Sequence, residues 1–237
     1  METRSAEALN FKYANASTLE LMRAFVEIEF PHKIAIVSSF GSEAAVLLHI
    51  AATVNPGIPV LFINTGKMFG ETLRYRDVLQ ARLGLTDTRT IAPHPSDLAR
   101  NDEQGILHSE SPDLCCAIRK VRPLVRALQG FDAWISGRKR YQSAQRAGLE
   151  RIEYVDGFYK LNPIADWSKQ VIDQYCVDHD LPTHPLIKDG YFSIGCMPCT
   201  DRVAPGEDSR AGRWRGLTKS ECGIHDIRGA IEEGIDV

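Results

Sequence analysis

Short continuous apolar runs alternate with amphipathic stretches along most of this chain. The first amphipathic stretch covers 17–28, with Ser17 or Thr18 as N-cap and Leu19, Met22, Phe25 and Val26 on the inward face. Pro31 breaks it. Ile34-Ala35-Ile36-Val37 then has no polar alternation, as expected of a parallel strand covered on both faces. It feeds the polar loop Ser38-Ser39-Phe40-Gly41-Ser42-Glu43 and a helix over 44–54. The unit repeats with an apolar run over 59–63, the loop Asn64-Thr65-Gly66-Lys67 and a helix over 71–83 that turns Leu73, Val78 and Leu79 inward. A third strand over 88–92 stops at Pro93 and Pro95, and a helix over 113–128, opened by Ser111-Pro112, leads to a strand over 133–136.

Alternating strands and helices imply an α/β fold with a doubly wound, mostly parallel sheet. Ligands of such sheets sit at the carboxyl ends of the strands, which sends the loops after Val37, Ile63 and Ile135 to one crevice. A strand, a glycine-bearing loop and a helix start also form an anion cradle, because the first helical N–H groups are unpaired. Past Gly137 the pattern changes. Asp156-Gly157 between two apolar stretches predicts a hairpin over 152–161, and 167–179 reads as a helix with Val171, Ile172, Tyr175 and Cys176 at helical spacing. That spacing makes Cys176 a buried core thiol. From Ala204 the chain is rich in Gly, Arg and charge and poor in periodic apolar residues, so 204–237 is read as a mobile tail on a domain of residues 1–203.

A chain of 237 residues can bury one sizeable core, and 43% hydrophobic with 25% charged residues is ordinary for a soluble domain. The net charge of −3 carries no global signal for nucleic acid or a membrane surface. The basic residues nonetheless cluster, at Arg138, Lys139, Arg140 and Arg146, and again at Arg202, Arg210, Arg213 and Arg215. Beside a phosphate-type loop such clusters suit anion binding. Acidic Glu2 and Glu7 and the lack of an apolar segment at the start argue against a signal peptide, and no apolar run is long enough to span a bilayer. A cytoplasmic location is expected, where six cysteines are metal-binding or catalytic sooner than disulfide-bonded.

Four of those cysteines form two pairs, Cys115-Cys116 and Cys196-Met197-Pro198-Cys199. Four thiolates satisfy tetrahedral zinc or an iron–sulfur cluster. Adjacent cysteines on a helix diverge by roughly 100°, which suits a wide group better than a single ion and favours [4Fe–4S] over zinc. Lys120, four residues after Cys116, is placed to compensate cluster charge or to meet an anionic substrate. Cys222 is left over, beside Gly223 and near His225 in the polar tail. An unpaired, accessible thiol of this kind is a candidate nucleophile.

Taken together, these stretches resemble the iron–sulfur adenylyl-sulfate reductases of the adenosine phosphosulfate and phosphoadenosine phosphosulfate reductase family. The resemblance rests on Ser39-Phe40-Gly41, Asn64-Thr65-Gly66-Lys67 with Glu71-Thr72, Cys115-Cys116-x-Ile118-Arg119-Lys120, and Ser136-Gly137 with Arg140, Gln142, Ser143 and Arg146. It continues in Gly195-Cys196-x-x-Cys199-Thr200, Arg210, Gly212-Arg213-Trp214 and Glu221-Cys222-Gly223-Ile224-His225. Two positions depart from the family's pattern. Asn64 stands where Asp is usual, and the 38–43 loop has less glycine than a pyrophosphatase loop, against ATP hydrolysis.

The resemblance implies an adenine-nucleotide alpha-hydrolase-like (ATP pyrophosphatase-like) fold and thioredoxin-dependent reduction of adenosine 5′-phosphosulfate to sulfite and AMP. It implies Cys222 as the attacking group, through an S-sulfonate, with Cys115, Cys116, Cys196 and Cys199 holding a [4Fe–4S] cluster. Ser39, Gly41, Thr65, Gly66, Lys120, Gly137, Arg146, Arg210, Arg213 and His225 would contact the nucleotide or its phosphosulfate. Thioredoxin or a similar dithiol protein would be the partner, without nucleic acid or membrane, and a homo-oligomer is left open. The rival readings are a reductase of the 3′-phosphorylated nucleotide, an iron–sulfur tRNA sulfurtransferase of the ATP-pyrophosphatase type, and a non-catalytic metal-binding module.

Overall fold

The computed structural model describes residues 5–227; Glu2 and positions 228–237 of the tail lie outside them. The strands form where aliphatic runs can be covered on both faces. β1 (Ile34–Val37), β2 (Val60–Ile63) and β4 (Ala133–Ile135) form the middle of the sheet, and β2 and β4 are buried throughout. β3 (Thr88–Ile91) flanks β2 with partly exposed side chains, while β5 (Ile152–Val155) and β6 (Phe158–Leu161) form the far edge. The order is β3-β2-β1-β4-β6-β5, and every pair is parallel except the β5–β6 hairpin, which turns at Asp156-Gly157.

Period-2 alternation sends each strand's residues to two separate cores. Ile34, Ile36, Val60, Phe62, Ala133, Ile135 and Leu161 belong to one, beneath α1 (Ala6–Lys12), α2 (Thr18–Ala24) and α3 (Ala44–Val54). Ala35, Leu61, Ile63 and Trp134 face the other. There they meet Val121 and Leu124, and also Ile224 and Ile227 from the C-terminal segment. The segment read as a tail thus covers part of the second sheet face.

α2 opens with a capping box between Ser17 and Glu20 and runs into a π-turn over Phe25–Glu29. Met22, Phe25 and Val26 are buried as expected, but Leu19 is 39% exposed because Leu21, Met22 and Phe25 carry the buried stripe and Leu19 lies at its margin. In α4 (Gly70–Leu83) the stripe is Thr72, Tyr75 and Leu79; Val78, one residue and about 100° from Leu79, is 52% exposed. Cys176, in the helix Lys169–Asp178, is half-buried and packs at the edge of the first core. No helix among the described residues is long and apolar enough to cross a membrane.

The helix expected over 113–128 is three pieces. After α5 (Pro95–Asn101) and α6 (Leu107–Glu110), α7 (Pro112–Cys116) passes into a π-turn over Ala117–Val121 and then α8 (Arg122–Ala127). Pro123 has no N–H to give the Arg119 carbonyl, so an unbroken α-helix is unavailable there. The wider turn places Ile118, Arg119, Lys120 and Val121 inside the protein.

Candidate active site

The loops after β1, β2 and β4 open into a cavity of about 250 Å³ at the carboxyl ends of the strands. Ser39, Gly41 and Glu43 line it from the first loop, Thr65 and Met68 from the second, and Ser136–Lys139 from the third. Phe40 fixes the first loop. It is fully buried, edge-on to Phe62 at 5.4 Å, and adopts φ +49°, a backbone state that costs a bulky residue about 1–3 kcal/mol unless packing enforces it. Glu43 then ties this loop to the one after β4. It accepts from Lys139 Nζ at 2.7 Å, Tyr141 Oη at 2.7 Å and Gln142 Nε2 at 3.0 Å. Burial opposes its charge, but Lys139 and Tyr141 outweigh burial and hold the carboxyl below its usual pKa.

Cations form one wall. Lys120, Arg146, Arg210 and Arg213 all line the cavity. Lys120 is buried, which alone would lower its pKa; the sulfurs of Cys222, Cys196 and Cys116 reverse this and raise it, so the ammonium is fixed. Arg213 lies flat on the Gly195 backbone, and a Cβ at Gly195 would stand 2.5 Å from its Nη2. The same guanidinium lies over the Trp214 ring, 4.2 Å from its centre. Arg146 makes a two-pronged contact with Glu221, Nε and Nη2 each at 2.9 Å, and Arg210 Nη2 reaches the same carboxylate at 3.5 Å and the Ser220 carbonyl at 2.8 Å. Burial pushes the Arg210 pKa down.

Cys222 also lines the cavity, in the chain that these arginines hold. Gly223 follows at φ +76°, a left-handed turn that suits glycine, with room for a Cβ only 3.7 Å from Val121. The next turn stacks half-buried His225 on Trp134, rings parallel at 2° and 5.5 Å apart. Burial, with Arg138, Lys160, Arg146 and Arg210 around it, drives the His225 pKa well below its usual value, so the ring is neutral. Its Nδ1 is buried without a hydrogen-bond partner and its carbonyl accepts from Lys160 Nζ at 2.9 Å.

A second, smaller hollow adjoins the first through Lys120. Cys115, Cys116, Cys196 and Cys199 line it with Lys67, His108 and Arg119, and no carboxylate. Thr65 Oγ1 lies 3.2 Å from Cys196 Sγ, and Arg119 donates to the Thr65 carbonyl at 2.8 Å while paired with buried Asp102. Burial pushes the Cys115, Cys116 and Cys199 thiols up, Cys116 to about 11. All six cysteines are free thiols, and among the described residues no three His, Cys, Asp or Glu side chains converge as ligands of a single ion do.

Residues 33–202 match the phosphoadenosine phosphosulfate reductase domain family, which is more than half of the chain. The chain belongs to this family. It is 46% identical over 220 residues to the adenosine 5′-phosphosulfate reductase of Mesorhizobium japonicum, covering 93% of this chain and 87% of that protein. It is 40% identical over 223 residues to the enzyme of that name from Streptomyces coelicolor, covering 93% of each. Among solved structures, a phosphoadenylyl-sulfate reductase from Candida auris superposes with a TM-score of 0.70 at 23% identity, over 86% of this chain and 98% of that one. Yeast FAD synthetase gives 0.55 at 15% identity, over 78% and 66%. These two show the fold, a mostly parallel α/β sheet.

The family match ends before Arg210, Arg213, Cys222 and His225, yet the structure brings all four to the cavity lined by Ser39, Gly41, Thr65, Lys120, Gly137 and Arg146. Gly66 is the exception. It does not line the cavity; its φ of +73° makes the turn after Thr65, and the space a side chain would take faces Arg119 Nη1 at 3.5 Å. Glu43, Trp214 and Glu221 line the cavity without having been assigned a role from sequence. Carboxylates and an indole give no anion-site signal, although Glu43 and Glu221 each orient a cation that does.

Proposed function

We propose that the chain reduces adenosine 5′-phosphosulfate to sulfite and AMP in sulfate assimilation, with Cys222 as the attacking group. The observation that carries this is the placement of Cys222 in the same cavity as Lys120, Arg146, Arg210 and Arg213, and the curated relatives bear the corresponding name. The Cys222 thiolate attacks the sulfate sulfur, forming an S–S bond as the sulfur–oxygen bond to AMP breaks, and AMP leaves with the electron pair. Charge grows on phosphate oxygens that the cations already face, so the rate gain is electrostatic and needs no strong acid. Ser39, Gly41, Thr65 and Gly137 seat the nucleotide, and neutral His225 lines the same cavity. A dithiol protein such as thioredoxin then attacks Cys222 Sγ. Sulfite departs with the bonding pair, and the second thiol of the donor closes its disulfide and frees Cys222, two electrons having passed to sulfur.

The four thiols lining the second hollow, their cationic surroundings and the absence of carboxylates there fit an iron–sulfur group, [4Fe–4S] by donor count. Cys115, Cys116, Cys196 and Cys199 would hold it. When bound it supplies a fixed local charge and joins the two cysteine-bearing segments. Lys67, Arg119 and Lys120 balance its thiolates, and the Thr65 hydroxyl serves Cys196.

Mass spectrometry tests the attack. Protein mixed with adenosine 5′-phosphosulfate and no reductant should gain one SO₃ on the Cys222 peptide, and Cys222→Ser should not; an adduct on Cys176, or none, overturns the assignment. The 3′-phosphorylated nucleotide, run in parallel, should react more slowly. Oxygen-free preparations should carry iron and acid-labile sulfide in equal amounts, and zinc in their place would overturn the cofactor.

A further inference from the structure

Strand β6 carries a buried charge that the proposed chemistry does not use. Lys160 is 3% exposed, in the middle of the strand, paired in register with Trp134 on one side and with Glu153 on the other. Trp134, its partner on β4, is apolar, and although Glu153 stands opposite on β5 and Arg138 is close by, burying a lysine at this position incurs a desolvation cost. The ammonium lies 4.8 Å over the Trp134 ring and donates to the His225 carbonyl at 2.9 Å. The His225 ring stacks on that same Trp134, so one indole and one ammonium grip both the side chain and the backbone of a single tail residue. Two residues on, the Ile227 N–H donates to Asp156 Oδ2 at 2.9 Å, at the β5–β6 turn. Burial and Arg138 push the Lys160 pKa down to about 8, against the opposing pull of Glu153, Asp156 and Asp226.

We infer that Lys160 is a positioning residue that clasps the tail through the His225 carbonyl and so holds Cys222 at the cavity. Only Gly223 and Ile224 separate Cys222 from His225, so anchoring the turn restricts where the thiol can reach. The clasp is short and local. Releasing it frees the 222–227 segment without unfolding the sheet, whereas Glu221 and its arginines continue to hold the tail on the other side of Cys222. This inference rests on the reading of Cys222 as the attacking group only for its catalytic consequence; the clasp itself is a statement about docking.

Lys160→Met keeps the length and apolar stem of the side chain and deletes the donor. Cys222 should then be alkylated by iodoacetamide about tenfold faster, the scale of one lost charge-assisted hydrogen bond, with Cys176 unchanged. With saturating adenosine 5′-phosphosulfate, formation of the Cys222 adduct should slow by a similar factor, while release of sulfite from the preformed adduct by dithiothreitol should not slow. A variant weakened in its fold would instead slow both steps and expose Cys176 as well, and that result overturns the inference. Asp156→Gly keeps the left-handed turn, removes the Ile227 acceptor and should shift alkylation the same way by less; it decides the matter if Lys160→Met does not fold. Unchanged alkylation of Cys222 in the variant that folds also overturns it. If the unsubstituted protein forms no Cys222 adduct, the reading of Cys222 fails, and the alkylation comparison still judges Lys160.

Discussion

At the residue scale the site depends on close backbone approach as much as on charged side chains. Gly195 is the clearest case, because the Arg213 guanidinium rests where its Cβ would be. Gly195→Ala meets the free end of a flexible arginine and not backbone, so the fold should survive while the guanidinium is displaced. Arg213 meets bound nucleotide as well as the reacting sulfate on the proposed reading. We expect the KM for adenosine 5′-phosphosulfate to rise about tenfold, the loss of one charge-assisted contact, with the thermal midpoint changed by little. A tenfold fall in kcat at unchanged KM would show that Arg213 acts only as charge develops. Most of this cavity was legible in the sequence. Cys222, Lys120 and the arginines stood out because cations and a spare thiol are unusual in loops without a structural duty. Glu43 and Glu221 were not legible, since a carboxylate that orients a cation is indistinguishable in sequence from one that faces solvent. Phe40 was hidden for another reason: nothing in a Ser-Phe-Gly triplet says which residue takes the positive φ, and packing against Phe62 gave it to the larger side chain.

At the element scale the sheet follows the pattern closely, because a parallel strand buried on both faces must be a continuous apolar run and few other structures require one. The helix ends at Val54 and Leu83 fall where the periodicity stops. What the pattern could not show is the π-turn between the tandem cysteines and α8. Apolar spacing over 113–128 fits one helix, and Pro123 was the only mark of interruption. Its consequence is large. Arg119, within that turn, pairs with Asp102 and donates to the Thr65 carbonyl, a link that joins the two cysteine-bearing regions through Thr65 and Cys196. Asp102 is held in its charged form against burial by the Leu107 N–H and Arg119. Removing one partner of such a buried pair typically costs about 3–5 kcal/mol, so the segment carrying Cys115 and Cys116 is firmly placed.

At the scale of the whole molecule, His184 and His225, both held neutral, should weigh heavily in the response to acid. His184 begins the 3₁₀ turn Pro185–Asp189, accepts from the Leu186 N–H at 3.2 Å and meets Thr72 Oγ1 at 3.1 Å, which pins α4 to the chain leading to Gly195 and Cys196. Burial lowers its pKa to about 4, against a weaker opposing pull from Glu71, and burial lowers that of His225 as well. In the unfolded chain both would protonate near 6.5. Between about pH 6.5 and pH 4 the unfolded state therefore binds more protons than the folded one, and stability must fall as the pH is lowered through that window. The stability is fully present above the unfolded value. For His184 alone the loss is on the order of 3 kcal/mol by the bottom of the window. Urea midpoints measured at several values between pH 7 and pH 4 should fall steadily in the unsubstituted protein. In His184→Asn, whose amide oxygen keeps the Leu186 contact and does not titrate, the fall should be shallower, with the remainder owed to His225 and the carboxylates. Parallel slopes in the two proteins would mean that His184 is not held neutral.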